Sequence, residues 1–323
     1  MLAAIYENSG GSSVLQVREV PTPEPGPGEV RVRVAISGVN PTDWKTRQRA
    51  APPEGKFQIP NQDGAGTIDA VGTGVSPDRL GERVWVLLAA HSRYGTAAEY
   101  TIVTADHAIP LPDHASFELG ASLGVPALTA SYCLNADGPL ASQTVLVSGG
   151  AGAVGHAAIE LARFEDAGHV IATVSGPDKA ELARAAGAHT VVNYRDPDAV
   201  DQIRAAVPYG IDQFVEVALD HNLELDLAVA APHAVITSYA ATDESVAHVP
   251  VRQLMGPNLT LRFMLLYTVP PRQLKAAIER TTEAVAAGAL TTLPIHRFRL
   301  HQIAKAHDAV EQGTVGKVVI DLQ

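Results

Sequence analysis

Residues 144–155 constrain the fold of this 323-residue chain more than any other stretch. The β-branched apolar run Thr144-Val145-Leu146-Val147-Ser148 leads into glycines at Gly150, Gly152 and Gly155, with Ala151, Ala153 and Val154 between them. The glycines stand in the order G-x-G-x-x-G, and His156 to Phe164 has helical composition. Strand, tight turn and helix together make such a glycine pattern informative. Gly150 is then expected to make the turn, Gly152 to admit a pyrophosphate beside the backbone, and Gly155 to let helix and strand pack closely. The helix start supplies unpaired N–H groups and a positive dipole end for phosphate. The stretch implies a dinucleotide-binding unit.

Around it, apolar strand-like and helical segments alternate: 144–148, 152–164, 169–174, 178–186, 190–193, 199–206, 212–217, 222–230 and 233–239. Such alternation predicts a parallel sheet with right-handed crossovers. The first 120 or so residues instead read as β structure, with Val30 to Val34 alternating apolar and charged and a further strand at 83–88. A helix is expected from about Pro271 to Ala287, and Gly316 to Asp321 reads as a strand returning to the first domain.

Bulk properties exclude several classes. A chain 46% hydrophobic and 18% charged suits a globular protein of about two domains. No stretch approaches the ~18 consecutive apolar residues of a membrane span. Met1 to Glu7 has no basic region ahead of an apolar core, so a cytoplasmic location is expected. The single cysteine, Cys133, excludes internal disulfides and multi-cysteine metal sites. A net charge of −11 argues against general nucleic-acid affinity.

The choice of dinucleotide turns on the second strand. NAD-binding folds usually end it in an acid that accepts hydrogen bonds from ribose hydroxyls. Here Val170 to Val174 is followed by Ser175-Gly176, and Asp178 is placed to open the next helix. Lys179 follows, and Tyr194-Arg195 closes the third strand. Cations and hydroxyl donors in place of an acid favour a 2′-phosphate, and hence NADPH.

The same residues carry a family pattern. Ser37-Gly38-Val39-Asn40-Pro41-Thr42-Asp43, Asp63-Gly64-Ala65-Gly66, Ala70-Val71-Gly72 and Ala98-Glu99-Tyr100 belong to it. Leu128-Thr129-Ala130, the glycine loop, Asn193-Tyr194-Arg195 and Gly316-Lys317-Val318 complete it. The chain resembles the zeta-crystallin-like quinone oxidoreductases of the medium-chain dehydrogenase/reductase superfamily nearly end to end. The resemblance implies an α/β fold in which a doubly wound Rossmann domain (residues 125–264) is inserted into a GroES-like β-rich domain (1–124 and 265–323), with the cofactor in the cleft between them. It implies that Asn40 and Thr129 lie near the nicotinamide, that Lys179 and Tyr194 hold the 2′-phosphate beside Ser175, and that Lys317 reaches the cofactor. Asn40, Asp43 and Thr129 are the cleft candidates for chemistry.

Zinc alcohol dehydrogenases of the superfamily carry cysteine, histidine and glutamate where this chain has Val39-Asn40-Pro41 and Gln62-Asp63-Gly64. No catalytic zinc is therefore expected. Reduction of an electron-poor acceptor, a quinone or a conjugated carbonyl, follows as the expected chemistry, with an enone or alkenal reductase as the rival. A crystallin-like structural or RNA-binding protein is the rival from another class. Trp44, Arg47, Arg93, Tyr94 and Tyr267 are the candidate substrate-cleft residues. The apolar 259–266 segment is expected either to join two copies edge to edge as a homodimer or to be an internal strand.

Overall fold

The computed structural model describes residues 1–136, 138–242 and 244–323. These form two compact units, Met1–Val125 with Thr292–Gln323, and Pro126–Thr291.

In the first unit, β1 (Leu2–Ile5) pairs antiparallel with β2 (Gln16–Glu19). The long β3 (Glu29–Val39) runs into helix α1 (Pro41–Arg49), and β4 (Asp63–Val71), β5 (Arg83–Val86), β6 (Tyr100–Thr104) and β7 (Ala108–Pro110) follow. Along β3 the alternation works as a half-buried strand requires. Val30 and Val32 are fully buried in a cluster with Ile68, Val84 and Val86, while Arg31 faces outward and pairs with Asp69 at 2.9 Å. A short helix α2 (Phe117–Gly120) precedes α3 (Gly124–Asn135), whose first residues end this part of the unit.

The second unit alternates strictly. Its strands are β8 (Thr144–Ser148), β9 (His169–Val174), β10 (Thr190–Asn193), β11 (Ile211–Glu216), β12 (Ala230–Ser238) and β13 (Thr260–Phe263). Between them run α4 (Ala153–Phe164), α5 (Pro177–Ala185), α6 (Ala199–Ala206), α7 (Leu219–Val229) and α8 (Val251–Met255), and α9 (Pro271–Ala286) follows β13. Every neighbouring pair is parallel, in the order β10-β9-β8-β11-β12-β13. That is the doubly wound 3-2-1-4-5-6 arrangement, whose switch point lies between β8 and β11. The expected strands at 144–148, 169–174 and 190–193 coincide with β8, β9 and β10. β12 starts earlier than expected, at Ala230, because α7 has already ended at Val229.

The chain then returns to the first unit through β14 (Ile295–Arg299), α10 (Ile303–Glu311) and β15 (Lys317–Asp321). β15 pairs antiparallel with β3, placing Val318 opposite Val39. The boundary at 264 expected from the sequence differs from the compact unit, which runs on to Thr291. Helix α9 buries Ala277, Thr281, Ala284 and Val285 and packs on α4. Beyond α9, Thr291 donates its N–H to Glu160 at 3.0 Å, which ties the segment to the nucleotide fold.

Candidate nucleotide and acceptor sites

The glycine loop sits at the carboxyl end of β8, as the sequence pattern implies. Its left-handed residue is Gly149 (φ 71°) rather than Gly150, so the turn is made one position earlier than expected. Gly150 instead serves packing: a Cβ there would lie 2.7 Å from the Ala172 Cβ on β9. At Gly155 a Cβ would stand 2.3 Å from the Gly149 carbonyl oxygen, so only glycine lets α4 close over the turn. Gly152 is different. A Cβ there would meet only the Gly149 oxygen, at 3.3 Å, so the fold alone makes little demand for glycine. This backbone at the start of α4 is far less enclosed than that of Gly155, which suits an approaching phosphate.

Around the second strand the geometry gathers three predicted residues. The Tyr194 N–H donates to the Val174 carbonyl at 3.1 Å, bringing the end of β10 beside the end of β9. There Lys179, one turn along α5, donates to the Ser175 hydroxyl at 2.9 Å. Tyr194 is 42% exposed, with the Arg195 guanidinium 5.7 Å from its ring centroid. Thr129 is buried on α3. At the switch point the Asn222 amide donates to Ser148 on β8 and to Glu216 on β11, both at 2.9 Å. Glu216 and Asp226 are both buried, and burial followed by their mutual repulsion pushes the Asp226 carboxyl well above the usual range.

The first unit holds a second array. Asn40 caps the start of α1, and its N–H donates to the Asp43 carboxylate at 2.7 Å, the return arm of a capping box. Asp43 also accepts the Gln62 N–H at 3.1 Å. The Asn40 amide turns away from the helix: Nδ2 donates to Asp63 at 2.6 Å, and Oδ1 accepts from the Lys317 ammonium at 2.7 Å. Asp63 accepts the Val125 N–H at 2.9 Å, at the N-terminal turn of α3. Gly124 permits this close seating, since a Cβ there would fall 2.1 Å from the Asp63 carboxylate. Burial lowers the Lys317 pKa, an effect that Asp63 and Asp43 oppose. Burial raises both carboxyls, and Asp63 adds to the rise at Asp43.

Asp43 also lines a cavity of about 230 Å³ with Tyr6, Thr46, Gln58, Asn61 and Gln62. Behind it, Asn61 takes the left-handed conformation (φ 74°), which asparagine tolerates better than most residues. Its amide donates to Ser37 at 3.0 Å, and its Oδ1 lies 3.0 Å from the His307 ring. Burial, then the Arg47 charge, depress the His307 pKa to about 3.

None of the five residues expected in the substrate cleft is among those lining this cavity. Arg47 points inward and is fully buried, 3.9 Å from Glu311. Arg93 lies 3.8 Å over the Phe57 ring, and Tyr94 packs against the core around Ile59. Trp44 is half-buried with Lys45 over its ring, and Tyr267 occupies a short turn in the second unit. Tyr6 is not marked by any sequence motif, whereas Gln58, Asn61 and Gln62 lie in the segment leading into Asp63-Gly64, so proximity to that segment is the sequence signal for this wall of the cavity. Among the described residues, no three His, Cys, Asp or Glu side chains are grouped to hold a metal ion. No helix among them is long and apolar enough to cross a membrane.

A doubly wound dinucleotide fold with a glycine loop, inserted in the chain between the two parts of a β-rich unit made from both chain ends, defines a nicotinamide-dependent oxidoreductase architecture. Residues 26–113 match the family described as alcohol dehydrogenase GroES-like domain, and residues 153–283 the one described as zinc-binding dehydrogenase. Guanaco (Lama guanicoe) quinone oxidoreductase is 29% identical, covering 100% of this chain and 98% of its own. Among solved structures, an NAD-dependent alcohol dehydrogenase is 27% identical with a TM-score of 0.88, covering 100% of both chains. A mycobacterial protein solved with NADPH is 28% identical with a TM-score of 0.84, covering 99% of this chain and 100% of its own. A 2-haloacrylate reductase is 26% identical with a TM-score of 0.84, covering 100% of both. The chain belongs to the medium-chain dehydrogenase/reductase superfamily.

Proposed function

We propose that this protein is an NADPH-dependent reductase of quinones that works without zinc. The observation carrying the cofactor half is the end of β9, where Ser175 and Lys179 are joined at 2.9 Å beside Tyr194 and no acid follows Val174. The bound NADPH would supply the electrons. The chain's own part is to seat phosphate on the backbone of Gly150 to Gly155, to hold the 2′-phosphate with Lys179 and Tyr194, and to enclose the acceptor. We assign the cavity beside Asp43 and Gln62 to the acceptor. Quinones and conjugated carbonyls are already electron-poor and need little acid catalysis from the protein. The sequence relative named for quinones and the NADPH-bound structure support it.

The donor set argues against zinc. Asn40 and Asp63 stand in the segments that bear ligands in zinc dehydrogenases, but the Lys317 ammonium already lies 2.7 Å from the Asn40 oxygen. A divalent ion placed there would meet a cation of like sign. The 2-haloacrylate reductase relative supports a second reading, addition of hydride to a carbon–carbon double bond beside a carbonyl. Assays of NADPH oxidation with 9,10-phenanthrenequinone and with a simple enone separate the two, and turnover of neither acceptor would sink both.

For Lys179→Met, the dissociation constant for NADPH should rise roughly tenfold and that for NADH stay within about twofold, since one charge-assisted bond is worth about 1.5 kcal/mol or more. Fluorescence titration with both cofactors checks this, and an equal loss for both would remove Lys179 from the 2′-phosphate site.

We further propose a cytoplasmic homodimer joined through β13. This strand ends the sheet, pairing with β12, and Met255, Phe263 and Leu265 on or beside it are 64%, 69% and 54% exposed. An unpaired edge next to exposed apolar side chains favours association. Light scattering should give twice the chain mass for the native protein and a mainly monomeric species for Phe263→Lys. A native monomer would overturn the assignment.

A further inference from the structure

Lys317 is 3% exposed, and its ammonium donates to the Asn40 Oδ1 at 2.7 Å, with the Val39 carbonyl at 3.4 Å. The Asn40 Nδ2 is held by Asp63 at 2.6 Å, so both ends of the amide are engaged and its plane is set. The path of the lysine stem is cleared by Gly38, where a Cβ would come 3.2 Å from the Lys317 Cε and 2.0 Å from the Ala121 carbonyl oxygen. Asp43 belongs to both the array and the cavity wall. As a purely structural device this is costly, because a buried ion group is often no more stabilising than apolar residues of similar volume. A methionine would fill the same channel without any desolvated charge. The array nevertheless places one cation where the ligand-bearing segments of zinc dehydrogenases come together.

We propose that Lys317 is a positioning residue of the reductase: its ammonium is a built-in cation that orients the Asn40 amide and, through Asp43, the wall of the acceptor cavity. This rests on the reading given under Proposed function. Lys317 thus acts through Asn40.

The test is a double-mutant cycle on the full chain, using Lys317→Met, Asn40→Ala and both together, with 9,10-phenanthrenequinone as acceptor. NADPH affinity, measured by fluorescence, should stay within about threefold for Lys317→Met, while kcat falls about tenfold or more. Because one residue acts through the other, the double variant should lose little beyond Asn40→Ala alone. Losses that multiply would overturn the proposal, as would an unchanged kcat in Lys317→Met. Should Lys317→Met fail to fold with its carboxylates uncompensated, Lys317→Met with Asp63→Asn removes one charge of each sign. That pair should fold, by circular dichroism, and remain slow. Recovery of full kcat would reduce Lys317 to charge balance and end the positioning role. If the native protein binds NADPH but turns over no quinone, the function reading falls and this inference with it; a native enzyme with unaffected variants removes the inference alone.

Discussion

Acidifying the protein from pH 6.5 to about 4 should remove roughly 3 kcal/mol of stability through His307 alone. The ring is fully buried on α10, with its Nε2 3.0 Å from the Asn61 Oδ1. Burial and then the neighbouring Arg47 charge hold its pKa at about 3, against 6.5 for a free histidine. Between these values the unfolded chain binds a proton that the folded chain does not. Stability from this group is therefore complete above about pH 6.5, is lost as pH falls toward 3, and levels off below. The buried carboxyls act in the opposite sense. Asp43, Asp63 and Asp226 are raised, so their folded forms keep protons that the unfolded chain has released, and stability falls as pH rises above the free carboxylate range. Comparison with His307→Gln isolates the histidine, since glutamine keeps a donor for Asn61 and does not titrate. Urea unfolding at several pH values should show the native protein losing about one more proton's worth of stability per pH unit than the variant. Parallel curves would show that His307 is not the responsible group.

Two glycines of the loop, three residues apart, should respond differently to the same added methyl group. Gly155→Ala should damage both fold and cofactor binding, because the new Cβ would lie 2.3 Å from the Gly149 carbonyl oxygen and 2.9 Å from the Gly150 Cα. Backbone atoms cannot rotate away as a flexible side chain can, so α4 must move off the turn. A loss of about 2–4 kcal/mol in stability is expected, as for other overpacked sites, with NADPH affinity down at least a hundredfold. Gly152→Ala should leave the melting temperature within a few degrees, because its Cβ would meet only one atom, at 3.3 Å. It should still weaken NADPH by about tenfold or more, by occupying the approach to the pyrophosphate. Thermal melts with and without NADPH separate these outcomes. Native affinity in Gly152→Ala would mean that the pyrophosphate does not pass close to this backbone.

Local pattern carried much of the architecture. The strand Thr144–Ser148, the glycine turn and the helix to Phe164 are contiguous, so their geometry depends on near neighbours and shows in the order of residues. The alternation after it determined the parallel sheet, and the missing acid after Val174 is the local cue behind the proposed NADPH site. Side chains that meet across long separations were not legible in this way. Helix α9 reads as an amphipathic segment, but nothing local says which unit it covers; contact with α4 and the Thr291–Glu160 bond decide that.

The sequence by itself determined the strand, glycine turn and helix at 144–164 and the order of strands and helices, and it has Val39-Asn40-Pro41 and Gln62-Asp63-Gly64 where, by the resemblance, zinc dehydrogenases carry ligands. Only the tertiary structure decided that Lys317, 277 positions after Asn40, donates to its amide. It also decided that Arg47 turns inward, and that Tyr6 and Asn61 share a cavity. The physical reason is range. A turn or a helix is set by sterics and hydrogen bonds among adjacent residues. A buried charge finds its partner only after the strands that carry both have paired, as β15 does with β3.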